Sequence, residues 1–326
     1  MIKMFLSMCK AENARAPAGP LDNDGSMAHE DSNGQWTGTD GNRTWPSWTG
    51  MVAAMPGLLL FSGGALVLAA MLWGPDGVFT GSGMNDWIME LSGNLMGLVV
   101  IVLPGQAFFI LAALVPALLS ARPWKERLGL RRPALSTRTW LALALATPTI
   151  QVCSALFASL FFDLTKPSSH LEQLSNLLLG QSGLGLVLVV LCAAVLPGLS
   201  EELFFRGFVR EGLSRRHGFA LAVLVPAVFF AAAHMDPMHA TAVLPLGIWF
   251  GMIAWWTRST IPAMLAHAIN NAFAILAGNI AGEEAKNQTA IESLTQAQGV
   301  VVAAYGLSLV LLIVGLLSLR GERTRG

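Results

Sequence analysis

Long apolar runs follow one another along the chain from residue 51 onward, and short polar segments separate them. A helix needs about 20 consecutive apolar residues to cross the hydrocarbon core of a bilayer. By that measure the pattern predicts eight transmembrane helices, near 51–73, 96–120, 139–162, 183–202, 219–235, 241–256, 261–281 and 299–318. The fifth and sixth are short and contain Pro226 and Pro245. The predicted fold class is therefore an all-α polytopic membrane protein.

Basic residues predict the orientation of these helices, because Lys and Arg concentrate in cytoplasmic loops. On one side of the membrane, the predicted loops and the C-terminus hold fourteen basic residues: Arg122, Lys125, Arg127, Arg131, Arg132, Arg138, Arg206, Arg210, Arg215, Arg216, Arg258, Arg320, Arg323 and Arg325. The loops on the opposite side hold Lys166 and Lys286. This alternation over all eight helices places both the N-terminus and the C-terminus in the cytoplasm.

The two ends of the chain differ from the membrane domain between them. Residues 1–48 are rich in Gly, Pro, Asn, Asp and Ser. Such a composition cannot bury a core, so we predict a disordered N-terminal tail. Residues 49–320 form the predicted eight-helix membrane domain, and residues 321–326 form a basic C-terminal tail.

Composition agrees with a membrane protein and argues against other classes. Only 12% of the residues are charged and 54% are hydrophobic, whereas a soluble domain carries about 25% charged residues. The formal net charge is +0, so no overall charge attracts nucleic acid, and the lipid bilayer is the expected partner. The sequence contains no P-loop, dinucleotide fingerprint or HExxH motif.

Polar side chains interrupt the apolar pattern at three places in the second half of the chain. Ionisable groups inside a bilayer are costly, so they usually face the interior of the helix bundle and mark a functional site. The three groups are Glu201, Glu202 and Arg206; His234; and His267 with Asn270 and Asn271. Each group alone has a structural explanation, such as an ion pair, a loop histidine or a packed amide. Their co-occurrence favours a catalytic site.

Helix geometry separates the two adjacent acids. Glu202 and Arg206 are four residues apart and share a helix face, so we expect them to form an ion pair. Adjacent residues point about 100° apart, which leaves Glu201 free for chemistry. By the same four-residue spacing, Asn271 lies on the same face as His267.

Other candidate residues carry less weight. Three further histidines are expected in loops: His170, His217 and His239. Three tryptophans are expected in the aromatic belt at the membrane interface: Trp249, Trp255 and Trp256.

A carboxylate and two imidazoles in a protected cavity can activate water by two routes. In the first, His234, His267 and Glu201 bind a zinc ion, which lowers the pKa of its bound water toward ~7 and polarises a carbonyl group. In the second, Glu201 is the general base without a metal, and His or Asn side chains stabilise the oxyanion. Both routes lead to peptide hydrolysis within the membrane. The sequence leaves the cofactor open between zinc and none.

Three motifs occur in a fixed order: EE-x3-R (Glu201, Glu202, Arg206), F-x3-H (Phe230, His234) and H-x3-N (His267, Asn271). Together they resemble the CPBP family of intramembrane proteases, also called Abi, which includes type II CAAX prenyl endopeptidases and bacteriocin self-immunity proteins. The resemblance covers a catalytic core at about residues 183–281.

The resemblance implies a role for each residue of the motifs. Glu201 would activate water, Glu202 and Arg206 would support it, and His234, His267 and Asn271 would complete the site. The family is often labelled metalloprotease, which keeps zinc as a candidate cofactor. The expected substrate is a membrane-associated protein or peptide, and the expected location is the bacterial cytoplasmic membrane. The oligomeric state is left open.

Two other functions compete with an intramembrane endopeptidase. One is a non-proteolytic membrane immunity or scaffold protein that keeps the family fold. The other is a transporter that uses the intramembrane acids as a proton relay. The chain has no internal repeat of the kind many transporters carry, so the transporter ranks last.

Overall fold

The structure of the chain, a computed structural model, describes residues 47–120, 123–214 and 217–285. Within these ranges all regular secondary structure is helical, as the apolar pattern predicts. The helices are α1 (Ser47–Trp73), α2 (Gly83–Ser92), α3 (Leu98–Leu118), α4 (Trp124–Arg127), α5 (Thr137–Ser159), α6 (Ser169–Leu178), α7 (Gly183–Leu213), α8 (Phe219–Ala232), α9 (Pro237–Thr257) and α10 (Ile261–Ala285).

Six helices of the described part are long and apolar enough to cross a membrane: α1, α3, α5, α7, α9 and α10. They coincide with the predicted spans one to four, six and seven. The predicted eighth span (299–318), residues 1–46 of the predicted tail and the C-terminal tail lie outside the described residues. The count of eight and the orientation of the termini therefore remain predictions.

The predicted fifth span, 219–235, is shorter in the structure than expected. Helix α8 has 14 residues, about 21 Å, whereas the hydrocarbon core is about 30 Å thick. The chain turns after it, with Met235 at a positive φ of 55°. Pro237 then begins α9, and the residue before a proline is disfavoured in a helix. The apolar pattern places the end of this span at residue 235, three residues beyond the end of α8 at Ala232.

Helix α7 is longer than predicted and changes the position of two arginines. It was expected to end at residue 202 but continues to Leu213, for 31 residues in all. Arg206 and Arg210 were expected in a cytoplasmic loop, yet they are buried within the helix. Glu202 and Glu211 supply their counter-charges, which hydropathy does not take into account. Two π-helical stretches, Leu191–Val195 and Leu203–Arg210, widen the helix here.

An aromatic core supports the middle of α7. The rings of Phe204 and Phe205 are edge-to-face at 5.0 Å between centroids, and Phe109 of α3 lies 5.6 and 5.4 Å from them.

Many outward side chains are apolar and exposed, such as Leu60 at 78%. A surface of this kind suits lipid rather than water.

The connection between α3 and α5 is fastened to the ends of α7 and α10. Arg127 donates from Nη1 to the Phe208 carbonyl oxygen at 3.0 Å, and its guanidinium lies 4.5 Å from the Phe208 ring. The Thr260 hydroxyl donates to the Leu128 carbonyl at 2.9 Å. Gly129 takes a φ of +61° in this turn, a conformation that favours glycine. These bonds hold the start of α10 beside α7.

Two expectations about loop and interface residues are wrong. His170 and His239 lie in the first turns of α6 and α9 rather than in loops. Asp236 caps α9 by accepting a hydrogen bond from the His239 backbone N–H at 2.7 Å. Trp249 is buried and donates from Nε1 to Thr147 Oγ1 at 3.1 Å. The polar partner on α5 lets this tryptophan pack inside the bundle instead of at the interface.

Candidate active site

Glu202, Arg206 and His267 form a buried cluster between α7 and α10. Arg206 Nη1 donates to Glu202 Oε1 at 2.5 Å, and neither side chain is exposed. This confirms the ion pair predicted from the spacing of the two residues. His267 Nδ1 lies 3.0 Å from the same Glu202 oxygen. A carboxylate only accepts hydrogen bonds, so Nδ1 carries the hydrogen and Nε2 faces away from Glu202.

The Arg206 guanidinium has further partners that spread its charge. Its Nη2 donates to the Gly247 carbonyl oxygen of α9 at 2.7 Å. The group also lies 4.7 Å from the Phe230 ring centroid and 5.5 Å from that of Phe250. Cation–π contacts of this kind stabilise a desolvated guanidinium. A buried arginine therefore links α7 to α8 and α9.

Phe230 contacts both predicted catalytic histidines. Its ring centroid lies 5.1 Å from that of His234 and 5.6 Å from that of His267. His267 also stacks on Phe250 at 4.8 Å with an interplanar angle of 13°. His234 Nδ1 lies 2.9 Å from the Phe230 carbonyl oxygen. Because a carbonyl only accepts, Nδ1 is the donor, and Nε2 of the neutral ring holds the lone pair.

Glu201 is turned about 100° around α7 from Glu202, so it does not share the partners of the buried ion pair. Its Oε1 accepts a hydrogen bond from Gln106 Nε2 of α3 at 3.1 Å. It is half-buried and near enough to His234 and Arg206 to interact with both electrostatically. Within the described part of the chain, Glu201 forms no salt bridge of its own. Of the two adjacent carboxylates, Glu202 is the one paired with an arginine.

Asn271 connects α10 to the first π-helical stretch of α7. Its Nδ2 donates to the Ala193 carbonyl oxygen at 3.2 Å, and its Oδ1 accepts from Asn270 Nδ2 at 3.2 Å. No hydrogen bond joins Asn271 to His267 in the part of the chain that the structure describes. Asn271 shares a helix face with His267, and one of its two amide hydrogens is used by Ala193.

Comparison with known proteins identifies the part of the chain that carries these residues. Residues 183–273 match the family model described as "Type II CAAX prenyl endopeptidase Rce1-like". This stretch, the Rce1-like segment, is similar to that family. The match contains all three motifs and confirms the resemblance drawn from them. No curated protein and no solved structure matches the chain.

The site also contains residues that sequence reasoning missed. Gln106 hydrogen-bonds to Glu201 and contacts the Ser200 hydroxyl, and Gln106 is only 8% exposed. The signal was a lone amide in the apolar run "VLPGQAFFI". Near the other end of the site, the His239 ring lies 4.3 Å from that of His234. His170 continues the row, 5.6 Å from His239.

The predicted zinc ligands do not form a three-ligand set in this geometry. Among the described residues, no three His, Cys, Asp or Glu side chains are grouped closely enough to hold a metal ion. The Nδ1 atoms of His234 and His267 donate to Phe230 and Glu202, so each ring would present Nε2 to a metal, while Glu201 Oε1 is held by Gln106. The three side chains are thus not gathered around one metal position among the described residues.

Proposed function

We propose that this protein is an intramembrane endopeptidase that hydrolyses a peptide bond in a membrane-associated protein or peptide. The observation that carries the proposal is the difference in surroundings between two adjacent acids in the Rce1-like segment, Glu201 and Glu202. Glu202 is buried in an ion pair and bonded to His267. Glu201 forms no salt bridge with a described residue, and it is close enough to His234 to interact with it electrostatically. One acid is structural, and the other is available to water.

Glu201 supplies the base in the proposed reaction. Its carboxylate removes a proton from water while the water oxygen adds to the carbonyl carbon of the peptide bond. The carbonyl π electrons move to oxygen and give a tetrahedral oxyanion. When that oxyanion collapses, the C–N bond breaks and Glu201 returns the proton to the departing nitrogen. His234 Nε2, with its lone pair, accepts a hydrogen bond from the same water and orients it.

His267 stabilises the oxyanion in this scheme. The Glu202 carboxylate holds Nδ1–H, and in the imidazolium form Nε2–H is a second donor that can face the oxyanion. Asn271 has a second amide hydrogen that can point to the same oxygen. Arg206 acts through Glu202, because it fixes the carboxylate that orients His267. The site residues thus divide into groups that contact the substrate and groups that position them.

The decisive experiment compares Glu201→Gln with the wild-type protein in liposomes. The probes are a farnesylated peptide ending in a CAAX sequence and the same peptide without the lipid, and mass spectrometry identifies the fragments. We expect the variant to lose at least about 100-fold in cleavage rate, the usual contribution of a general base. The control is Glu90→Gln, which changes an exposed acid on α2 and should cleave normally.

The outcomes separate the competing functions. Cleavage of the farnesylated probe alone would assign a prenyl endopeptidase, and cleavage of both would assign a broader peptidase. Wild-type cleavage by Glu201→Gln would contradict the role of Glu201. If the wild-type protein cleaves neither probe and Glu201→Gln retains full biological activity, the result would favour a non-proteolytic function in the membrane.

A further inference from the structure

A buried amide from another helix holds the carboxylate that acts as base. Gln106 lies on α3, 95 residues before Glu201 in sequence, and is 8% exposed. Its Nε2 donates to Glu201 Oε1 at 3.1 Å. Its Oε1 is in close contact with the hydroxyl of Ser200, a residue with no exposed surface. No motif of the Rce1-like segment contains Gln106, because the segment begins at residue 183.

The two contacts of Gln106 agree on which way its amide points. The Ser200 hydroxyl can donate to Oε1, while a carboxylate can only accept from Nε2. Rotating the amide by 180° would place its oxygen against the Glu201 carboxylate, and two acceptors would then face each other. The Ser200 hydroxyl also lies 2.8 Å from the Leu196 carbonyl oxygen, so its hydrogen faces both acceptors. Ser200 therefore fixes the amide, and the amide fixes Glu201.

A neutral donor suits a carboxylate that must accept a proton. Glu202 is held by a guanidinium through a charge-assisted bond, which is about twice as strong as a neutral one and disfavours protonation. Gln106 orients Glu201 without adding a positive charge. It occupies one oxygen and leaves Oε2 for water.

We propose that Gln106 is a positioning residue, which holds Glu201 Oε1 so that Oε2 faces the reacting water. This inference rests on the proposed role of Glu201 as the base. It assigns a function to α3, which lies outside the Rce1-like segment. It also gives Ser200 a role as the residue that sets the orientation of Gln106.

The test measures the state of Glu201 directly, so it does not depend on cleavage. An apolar carbodiimide labels protonated carboxyl groups in membranes, and mass spectrometry gives the extent of labelling at Glu201 as a function of pH. Gln106→Glu places a second carboxyl group against Glu201, and the pair should share a proton. We expect the midpoint of labelling at Glu201 to rise by about one pH unit or more. Gln106→Leu removes a donor to the carboxylate, and a smaller rise is expected.

The matched control is Gln151→Leu. Gln151 is also an amide within a membrane-spanning helix, and its buried Oε1 has no hydrogen-bond partner among the described residues. This variant should leave the labelling midpoint at Glu201 unchanged. An unchanged midpoint in both Gln106 variants would overturn the inference, since Gln106 would then not hold the carboxylate.

Cleavage assays on the same proteins separate this inference from the proposed function. If the wild-type protein cleaves a probe, Gln106→Leu should lower kcat about tenfold with little change in KM. In the pH profile of kcat for this variant, the acid limb should move to higher pH together with the labelling midpoint. If no protein cleaves but the midpoint still shifts, the contact stands and the proposed function fails. An unchanged kcat in Gln106→Leu would show that the contact does not serve catalysis.

Discussion

At the scale of single residues, the adjacent acids Glu201 and Glu202 have the same chemistry and opposite surroundings. Glu202 has no exposed surface and bonds to Arg206 and His267 through one oxygen. Glu201 bonds to a neutral amide and is half-buried. The sequence predicted the Glu202–Arg206 pair from four-residue spacing. It could not predict the bond from His267, which lies 65 residues further along.

Replacing each acid by glutamine should therefore affect different properties. Glu202→Gln leaves the Arg206 guanidinium buried without its counter-ion, and such a loss costs about 3–5 kcal/mol of stability. Glu201→Gln removes the base but no ion pair, so we expect little change in unfolding. Denaturation of both variants in the same detergent checks this difference. Equal unfolding midpoints for the two variants would contradict the structural role of Glu202.

At the scale of helices, the site depends on the close approach of α7 and α10. A Cβ atom at Gly198 would lie 2.8 Å from the Ala268 backbone nitrogen, a distance that real side chains do not adopt. The next residue back on α10 is His267, which must reach Glu202. The glycine is therefore the position where α7 lets α10 pack closely enough for this bond. The sequence contains the glycine, but only the packed helices identify its neighbour.

Gly198→Ala should push the two helices apart by a few tenths of an ångström. We expect about 1–3 kcal/mol of destabilisation from overpacking and about a tenfold loss of cleavage, because small misplacements of catalytic groups are costly. The control is Gly64→Ala on α1, where an added Cβ meets nothing within 4 Å. Cleavage and thermal unfolding should be measured together. Full activity in Gly198→Ala would mean that the spacing between α7 and α10 is not limiting.

At the scale of the whole molecule, direct contacts join the helices that form the site. Arg206 connects α7 to α9 through Gly247, Asn271 connects α10 to α7, and Gln106 connects α3 to α7. Protein side chains and backbone carbonyl groups make these contacts directly. The fold and the proposed reaction should then be independent of zinc.

Chelation of the purified protein tests this expectation. We expect treatment with a strong zinc chelator, followed by elemental analysis, to give zinc-free protein with an unchanged melting temperature and cleavage rate. A preparation that holds one zinc ion per chain would contradict the metal-free scheme if it lost activity on chelation and regained it with zinc. Such a result would restore the zinc route with His234, His267 and Glu201 as candidate ligands.

The sequence by itself determined the helical class, most of the helix positions and the residues of the three motifs. It could do so because hydrophobic length and helical spacing are local properties. It ended α7 too early and the fifth span three residues too late, since Arg206 pairs with Glu202 within the helix and the chain turns before Pro237.

Only the tertiary structure decided which neighbour each polar side chain finds. Three contacts join distant parts of the chain. His267 bonds to Glu202, the Phe230 ring contacts the ring of His267, and the Gln106 amide bonds to Glu201. Most buried polar groups find a partner, but the sequence position of a group does not say which helix supplies it. That choice is made when the helices pack.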